Sequence, residues 1–321
     1  MRHKLTHPPI SCKISVVITT YNEEIRIESC IRSIINTFSK AKLNYEILMV
    51  DSSSKDRTIS IAEKFPIKII ALKGYRSPSL GQYVGFTHSD GDIILFIDGD
   101  MELILDHKKI SFFLNKLDDN IVGLQGYFID YQADGSKRYL HKNNQKSLVP
   151  FLPGCAFYSR KALSKENFNP FLFSNEERDL GFRLITAGFS LLRLPVPMVN
   201  HYRRKSSEFS EIIRRHSSNF FLGSGQIFRC QKSFYTIIKH LLHLKYDFIF
   251  GISLILLLYT FFYDNSNLLS IVFSFHIFLL LYYLVIYRSI NRYFLKYFTI
   301  WGLLIGFLTY KKQKIDYDFI K

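Results

Sequence analysis

Asp98-Gly99-Asp100 stands directly after the apolar run Asp92-Ile93-Ile94-Leu95-Phe96-Ile97. In an extended segment, residues i and i+2 point to the same side. Two carboxylates held together in this way repel unless a cation lies between them or one takes a proton. A hard divalent ion with oxygen ligands, Mg2+ or Mn2+, is the natural neutraliser, and such a site suits a diphosphate. Taken alone, the tripeptide also reads as an acidic turn. A second acidic group, Glu176, Glu177 and Asp179, precedes residues 180–187, where a helix N-terminus favours acids in any case. No G-x-G-x-x-G follows the first apolar run and no G-x-x-x-x-G-K-[ST] occurs, which weakens dinucleotide and P-loop readings. Cys12, Cys30, Cys155 and Cys230 form no C-x-x-C pair. That spacing excludes a disulfide scaffold and a zinc ribbon and fits a reducing compartment.

These residues need a frame, and the apolar patterning supplies one. Residues 13–19 are β-branched and apolar, as in a buried strand. Residues 22–38 carry a helical stripe, with Asn22 placed to cap the first turn. Strands are expected at 45–50, 67–72 and 92–97, and helices at 55–65 and from 79 to 87. This β-α-β-α-β-α-β order predicts an α/β domain with a mostly parallel, doubly wound, Rossmann-like sheet. Ligands of such sheets sit at the carboxyl ends of the strands, so loops 20–23, 51–56 and 98–100 should line one crevice.

The chain has 321 residues, 48% hydrophobic and 16% aromatic, which is not the composition of a disordered chain. The net charge of +15 suggests a polyanionic partner: nucleic acid, an anionic membrane face or phosphorylated substrates. No zinc finger, basic zipper or RNP-type motif appears, so nucleic acid is not expected as the partner. Residues 1–12 are polar and lack the apolar core of a secretory signal. Residues 246–263 and 268–287 are long and apolar enough to span a bilayer, and 297–310 reads as an interfacial or third spanning helix. The turn between the first two has no Lys or Arg, whereas Lys239, Lys245, Arg288, Arg292 and Lys296 flank them. The positive-inside rule then puts the turn outside and residues 13–232 in the cytoplasm, with 233–321 a membrane-associated region. The basic surplus of the soluble part would hold it on an anionic leaflet.

Four blocks in order resemble family 2 glycosyltransferases. They are Thr19-Thr20-Tyr21-Asn22-Glu23 after a strand, Val50-Asp51-Ser52-Ser53-Ser54-Lys55-Asp56-Arg57-Thr58, the Asp98-Gly99-Asp100 block, and Glu176-Glu177-Arg178-Asp179-Leu180. The resemblance covers residues 13–205. It implies a GT-A fold and transfer of a sugar, with inversion, from a nucleotide-sugar, UDP being the default base. By motif, Thr20, Tyr21 and Glu23 would line the base and ribose pocket, Asp51 would bond the base, and Asp98 would hold the ribose and assist the metal. Asp100 would ligate the metal, Arg76 would bind phosphate, and His201 would be a further metal ligand, with Arg203, Arg204 and Lys205 close to a diphosphate or the leaflet. Glu177 maps to the general base, although the family pattern has Asp there; Glu176 competes for the role and Asp179 supports the site. Gly154 and Cys155 fall in the acceptor loop, with Cys155 a packed small residue.

The Q-x-x-R-W block of processive synthases is absent, so one sugar per binding event onto a lipid-linked or glycan acceptor is expected, as in cell-surface polysaccharide synthesis. Two other readings remain at this stage. One is a polyprenyl-phosphate sugar synthase, in which a phosphate attacks and a strong base matters little. The other is a catalytically inactive, membrane-tethered binding protein.

Overall fold

The structure, a computed structural model, describes residues 12–132, 134–203, 207–262 and 266–321. The expected tail and the turn at 263–265 lie outside these residues, as do Arg204 and Lys205. The chain divides into two units, one of residues up to 205 together with 311–321, the other of 206–310.

The first unit opens with β1 (Lys13–Thr20), α1 (Ile27–Lys40), β2 (Asn44–Asp51), α2 (Thr58–Ala62), β3 (Lys68–Lys73), α3 (Pro78–Thr87) and β4 (Ile93–Asp98). It continues through β5 (Met101–Leu103), α4 (His107–Leu114), β6 (Ile121–Tyr131), β7 (Lys137–Leu140), β8 (Ser147–Leu148) and β9 (Ala156–Ser159). After α5 (Arg160–Lys165), α6 (Glu176–Thr186) and β10 (Ser190–Tyr202) the chain leaves for the second unit, and it returns as β11 (Asp316–Phe319).

Among the described residues, eleven strands form one sheet with the path β11-β3-β2-β1-β4-β9-β6-β10-β5, β7 and β8 lying off it. β3-β2-β1-β4 is the parallel block that the sequence predicts. Beyond β4 the sheet is mixed, because β9 inserts antiparallel between β4 and β6. Alternate residues of β1 feed two cores. Val16 and Ile18 pack with Ile27, Ile31 and Ile34 of α1, while Val17 packs with Leu80 and Val84 of α3 and Leu180 of α6.

Two expected helices start late, for one reason. Asn22 does not cap α1. It sits in the left-handed region at φ 55 and accepts a hydrogen bond from the Lys55 N–H. α2 likewise begins only at Thr58, because residues 54–58 are committed to the loop contacts described below.

The second unit is helical: α7 (Glu208–Ser217), α8 (Gly223–Cys230), α9 (Phe234–His243), α10 (Lys245–Phe262), α11 (Ser266–Tyr287) and α12 (Asn291–Thr309). The division falls after residue 205 rather than the expected 232. The reason is that α12 lies against the segment 221–225 at backbone contact, where a Cβ on Gly225, Gly302 or Gly306 would collide with a carbonyl oxygen. Among the described residues, α11 alone is long and apolar enough to cross a membrane, over Asn267–Ile286. α9 and α10 form a second such length only as a pair bent by 74°. The expected pair of full spans is thus reduced to one helix that qualifies by itself, and a multi-pass topology does not follow from the structure. α12 begins at Asn291, six residues before the apolar run, and its Lys296 pairs with Asp247 of α10 at 2.6 Å.

Candidate active site

Two loops at the carboxyl ends of β1 and β2 interlock. The Asn22 N–H donates to Ser54 Oγ at 2.7 Å, the Glu23 N–H to Thr58 Oγ1 at 2.8 Å, and the Glu24 N–H to Asp56 Oδ2 at 3.1 Å. Arg57 closes the interlock on the Glu24 carboxylate at 3.1 Å. Ser54, Asp56 and Thr58 therefore satisfy the backbone of the Tyr21–Glu24 loop. Asp51 is fully buried, and both its oxygens accept from Ser54, from the N–H at 2.7 Å and from the hydroxyl at 2.5 Å. Asp51 thereby ties the loop to the end of β2. Tyr21 is exposed at the rim, with the Arg76 guanidinium 5.3 Å from its ring centroid and also donating to the Ser52 carbonyl at 3.3 Å. An aromatic face with a cation beside it is apt for a nucleotide.

β4 ends opposite β1 with Asp98 in register with Thr19. Asp98 Oδ1 accepts from Thr19 Oγ1 at 2.7 Å. Burial, and then the charge of Asp100, push the Asp98 carboxyl up to about 7. Gly99 is packed so tightly that a Cβ there would lie 2.8 Å from Thr20 Oγ1. Asp100 Oδ2 is 3.4 Å from His201 Nε2, while its Oδ1 is buried without a hydrogen-bond partner. His201 Nδ1 lies 2.7 Å from Asp130 Oδ1. Burial lowers the His201 pKa, but the hydrogen bond and charge of Asp100, with the charges of Asp130 and Asp98, outweigh it and raise the pKa.

An unpartnered buried carboxylate oxygen beside an imidazole nitrogen fits a divalent cation. Among the described residues, no three His, Cys, Asp or Glu side chains gather closely enough to hold an ion by themselves. Of the expected trio, Asp100 and His201 lie within 3.4 Å of each other, while Asp98 Oδ1 accepts from Thr19. A site of few protein donors that leaves its other positions to phosphate and water is usual for Mg2+.

The late acidic block begins α6. Asn175, at φ 62, turns the chain so that the three acids fall in the first helical turn. Glu177 Oε1 accepts from the Gly154 N–H at 3.1 Å. Burial raises its pKa, and the Gly154 bond opposes the rise. Gly154 is at φ +67, with Met101 Cε and the Phe128 ring 3.2 Å from where a Cβ would stand, so glycine is required there. Glu176 is buried and raised well above the usual range by burial and by Glu177. Asp179 is fully buried and paired with Arg183 at 2.9 Å, which makes it a support of α6. Cys155 is fully buried, its thiol pushed well up by burial, so its side chain does not reach an acceptor. Gln125 pins this loop from β6, donating to the carbonyls of Pro153 at 2.6 Å and Cys155 at 3.0 Å.

Sequence reasoning did not find Asp130, Gln125 or Thr19. For Asp130 the signal was present, as a lone acid in the apolar strand Tyr127-Phe128-Ile129-Asp130-Tyr131.

A model of the protein family described as glycosyl transferase family 2 matches residues 15–176. The dolichol-phosphate mannosyltransferase of Pyrococcus furiosus is 36% identical over 94 residues, 28% of this chain and 26% of that protein. The cholesterol galactosyltransferase of Borreliella burgdorferi is 23% identical over 228 residues, 70% of this chain and 59% of that protein. The chain therefore spans less than two thirds of either relative's length. Among solved structures, the mannosyltransferase PcManGT of Pyrobaculum calidifontis, in complex with GDP-Man and Mn2+, is similar with a TM-score of 0.61. That likeness holds at 16% identity and covers 93% of this chain and 88% of that one, so it is a likeness of fold.

Proposed function

The chain belongs to glycosyl transferase family 2 and has the GT-A fold, and from that premise we propose that it is an inverting glycosyltransferase. It moves a sugar from a nucleotide-sugar to a hydroxyl of a lipid-linked or glycan acceptor. The observation that carries the reading is Glu177, a desolvated carboxylate bonded to the Gly154 N–H and close enough to Asp98 to raise its pKa.

In this reading Tyr21 and Arg76 receive the nucleoside, and Asp100 and His201 face the diphosphate and would hold the cation. A bound divalent ion supplies charge stabilisation to the departing diphosphate. Glu177 takes the proton of the acceptor hydroxyl as that oxygen bonds to the anomeric carbon. The bond from that carbon to the phosphate oxygen breaks, and the nucleoside diphosphate leaves with the electron pair. Gly154 and the Gln125-pinned loop present the acceptor. α10 and α11 anchor the enzyme in the membrane as a hairpin, which keeps residues 13–205 and the returning β11 together on the cytoplasmic face.

A second reading, attack by a polyprenyl phosphate, has support from the relative named as a dolichol-phosphate mannosyltransferase. A phosphate oxygen needs no base, so the two readings differ at Glu177. The test is a donor screen: purified protein, Mn2+ or Mg2+, and UDP- and GDP-sugars, with nucleoside diphosphate release as the readout. No release from any donor, with either metal and in the presence of polyprenyl acceptors, would overturn the proposal. A reporter fused at Asn265 should read as external; a cytoplasmic signal there would overturn the orientation.

A further inference from the structure

Asp130 lies one residue before the end of β6, is fully buried, and belongs to none of the four blocks. Its carboxylate is heavily used. It faces His201 Nδ1 at 2.7 Å, accepts from Arg203 Nε at 3.0 and 2.9 Å, and accepts from the Gln132 amide. The sheet dictates the first of these contacts, because Asp130 and His201 are direct partners in the parallel β6–β10 ladder.

An imidazole carries one proton in its neutral form, and the hydrogen bond at one nitrogen decides which nitrogen keeps it. An ionised carboxylate only accepts, so Asp130 holds the proton on Nδ1 and leaves a bare lone pair on Nε2. That lone pair faces Asp100 Oδ2 at 3.4 Å, beyond a good hydrogen bond, while Asp100 Oδ1 has no partner. Neutralising Arg203 does not explain the arrangement. Arg203 is 43% exposed and can be solvated, whereas Asp130 is wholly enclosed and lies nearer the imidazole, at 2.7 Å, than the guanidinium, at 2.9 Å.

We propose that Asp130 is the positioning residue of the cation site, fixing the tautomer and aim of His201 so that Nε2 and Asp100 receive a divalent ion. The inference rests on the reading of Asp100 and His201 as cation ligands. Carboxylate–histidine–metal relays of this kind tune affinity, and loss of the outer partner typically weakens metal binding about 10–100-fold. Asp130→Asn has the shape to fit but can turn an N–H toward Nδ1, which moves the imidazole proton to Nε2.

The experiment is Mn2+ binding, with Mn2+ alone as the probe, to the full chain in detergent, followed by the electron paramagnetic resonance of free Mn2+. Asp130→Asn should raise the Kd about 10–100-fold, and His201→Ala by at least as much. If Asp130 acts through His201, the double variant should bind no more weakly than His201→Ala alone, within about twofold. The second measurement needs no variant to fold: 15N spectra of the histidines in metal-free wild type at pH 9 should show His201 protonated at Nδ1. Wild-type affinity in Asp130→Asn, an equal further loss in the His201→Ala background, or an Nε2–H tautomer at His201 would each overturn the inference and leave the cation reading standing. Wild-type protein that binds Mn2+ no better than Asp100→Asn would remove the cation reading, and this inference with it.

Discussion

Glu177→Gln is the change that most sharply tests the chemistry. The amide keeps the length of the side chain, and its carbonyl oxygen still accepts from the Gly154 N–H now bonded at 3.1 Å. Exchanging a charged acceptor for a neutral one weakens such a bond by about 1 kcal/mol, or roughly fivefold in rate if that bond alone mattered. Loss of a general base costs about 10²–10⁴-fold, or about 3–5 kcal/mol of transition-state stabilisation. A drop beyond about 100-fold in kcat, with donor affinity little changed, therefore points to proton transfer and not to loop geometry. Stability should move the other way. Burial raises the Glu177 pKa in the fold, so its ionised form disfavours folding, and the disadvantage grows as pH rises through the folded pKa. At pH 8 the variant should melt at or above the wild-type temperature, and the gap should close below about pH 4, under the unfolded carboxyl value. Nucleoside diphosphate release under saturating donor and acceptor, beside thermal melts at the two pH values, measures both. Turnover within about tenfold of wild type would refute Glu177 as the base for a hydroxyl and would favour a phosphate acceptor. A dead Glu176→Gln beside an active Glu177→Gln would move the base by one residue.

Asp100→Asn should abolish turnover and leave the melting temperature in EDTA unchanged or higher; full activity of this variant in excess EDTA would remove the metal from the mechanism. Burial and the charge of Asp100 push the Asp98 carboxyl up to about 7, so metal-free protein should lose stability as pH climbs to about 7, and Mn2+ should restore it; melts from pH 5 to 8 with and without Mn2+ check this. Gly154→Ala forces a Cβ onto a backbone at φ +67 and against Met101 and Phe128, so denaturant titration should show a loss of about 1–2 kcal/mol, and kcat should fall with it. Thr58→Val leaves the Glu23 N–H without its acceptor, at a cost of about 1–3 kcal/mol, and should raise the donor KM more than it lowers kcat.

The parallel half of the sheet and the four acidic blocks were legible because both are local. Strand–helix alternation is written in periods of two and 3.6, and each block lies within a dozen residues of chain at a strand end or helix start. What the blocks do was less legible. Ser54, Asp56 and Thr58 stood in the second block with no role of their own, and in the fold they hold the backbone of the Tyr21–Glu24 loop. Asp51 read as a contact to the base, and its hold on Ser54 could not be read from the motif. Asp130 stood out as a lone acid in an apolar strand, but its role was hidden because its partner stands 71 positions away, a distance that only strand pairing closes. β9 and β11 were missed for a similar reason. A four-residue strand has too little pattern to be recognised, and its direction is set by the edge or gap it fills. The helix boundaries erred where polar side chains preferred loop carbonyls and N–H groups to a cap, a competition that composition does not decide.

β11 has a consequence for how the molecule is made. It closes the outer edge of β3, with His88 bonded to Tyr317 at 2.8 Å across 229 positions of sequence and the Lys321 amine donating to the Phe65 carbonyl at 2.8 Å. Every residue of the helical segment must therefore leave the ribosome before β3 can acquire that neighbour. At ordinary rates of synthesis, the delay is on the order of ten seconds. During it a hydrophobic strand with open amides and carbonyls can pair with another nascent chain. β3 carries Lys68 and Lys73 at its two ends, and like-charged ends repel a second copy of the same strand. Lys73 then joins Asp318 when the proper partner arrives, so the charge that guards the edge during translation also helps to select what finally seals it.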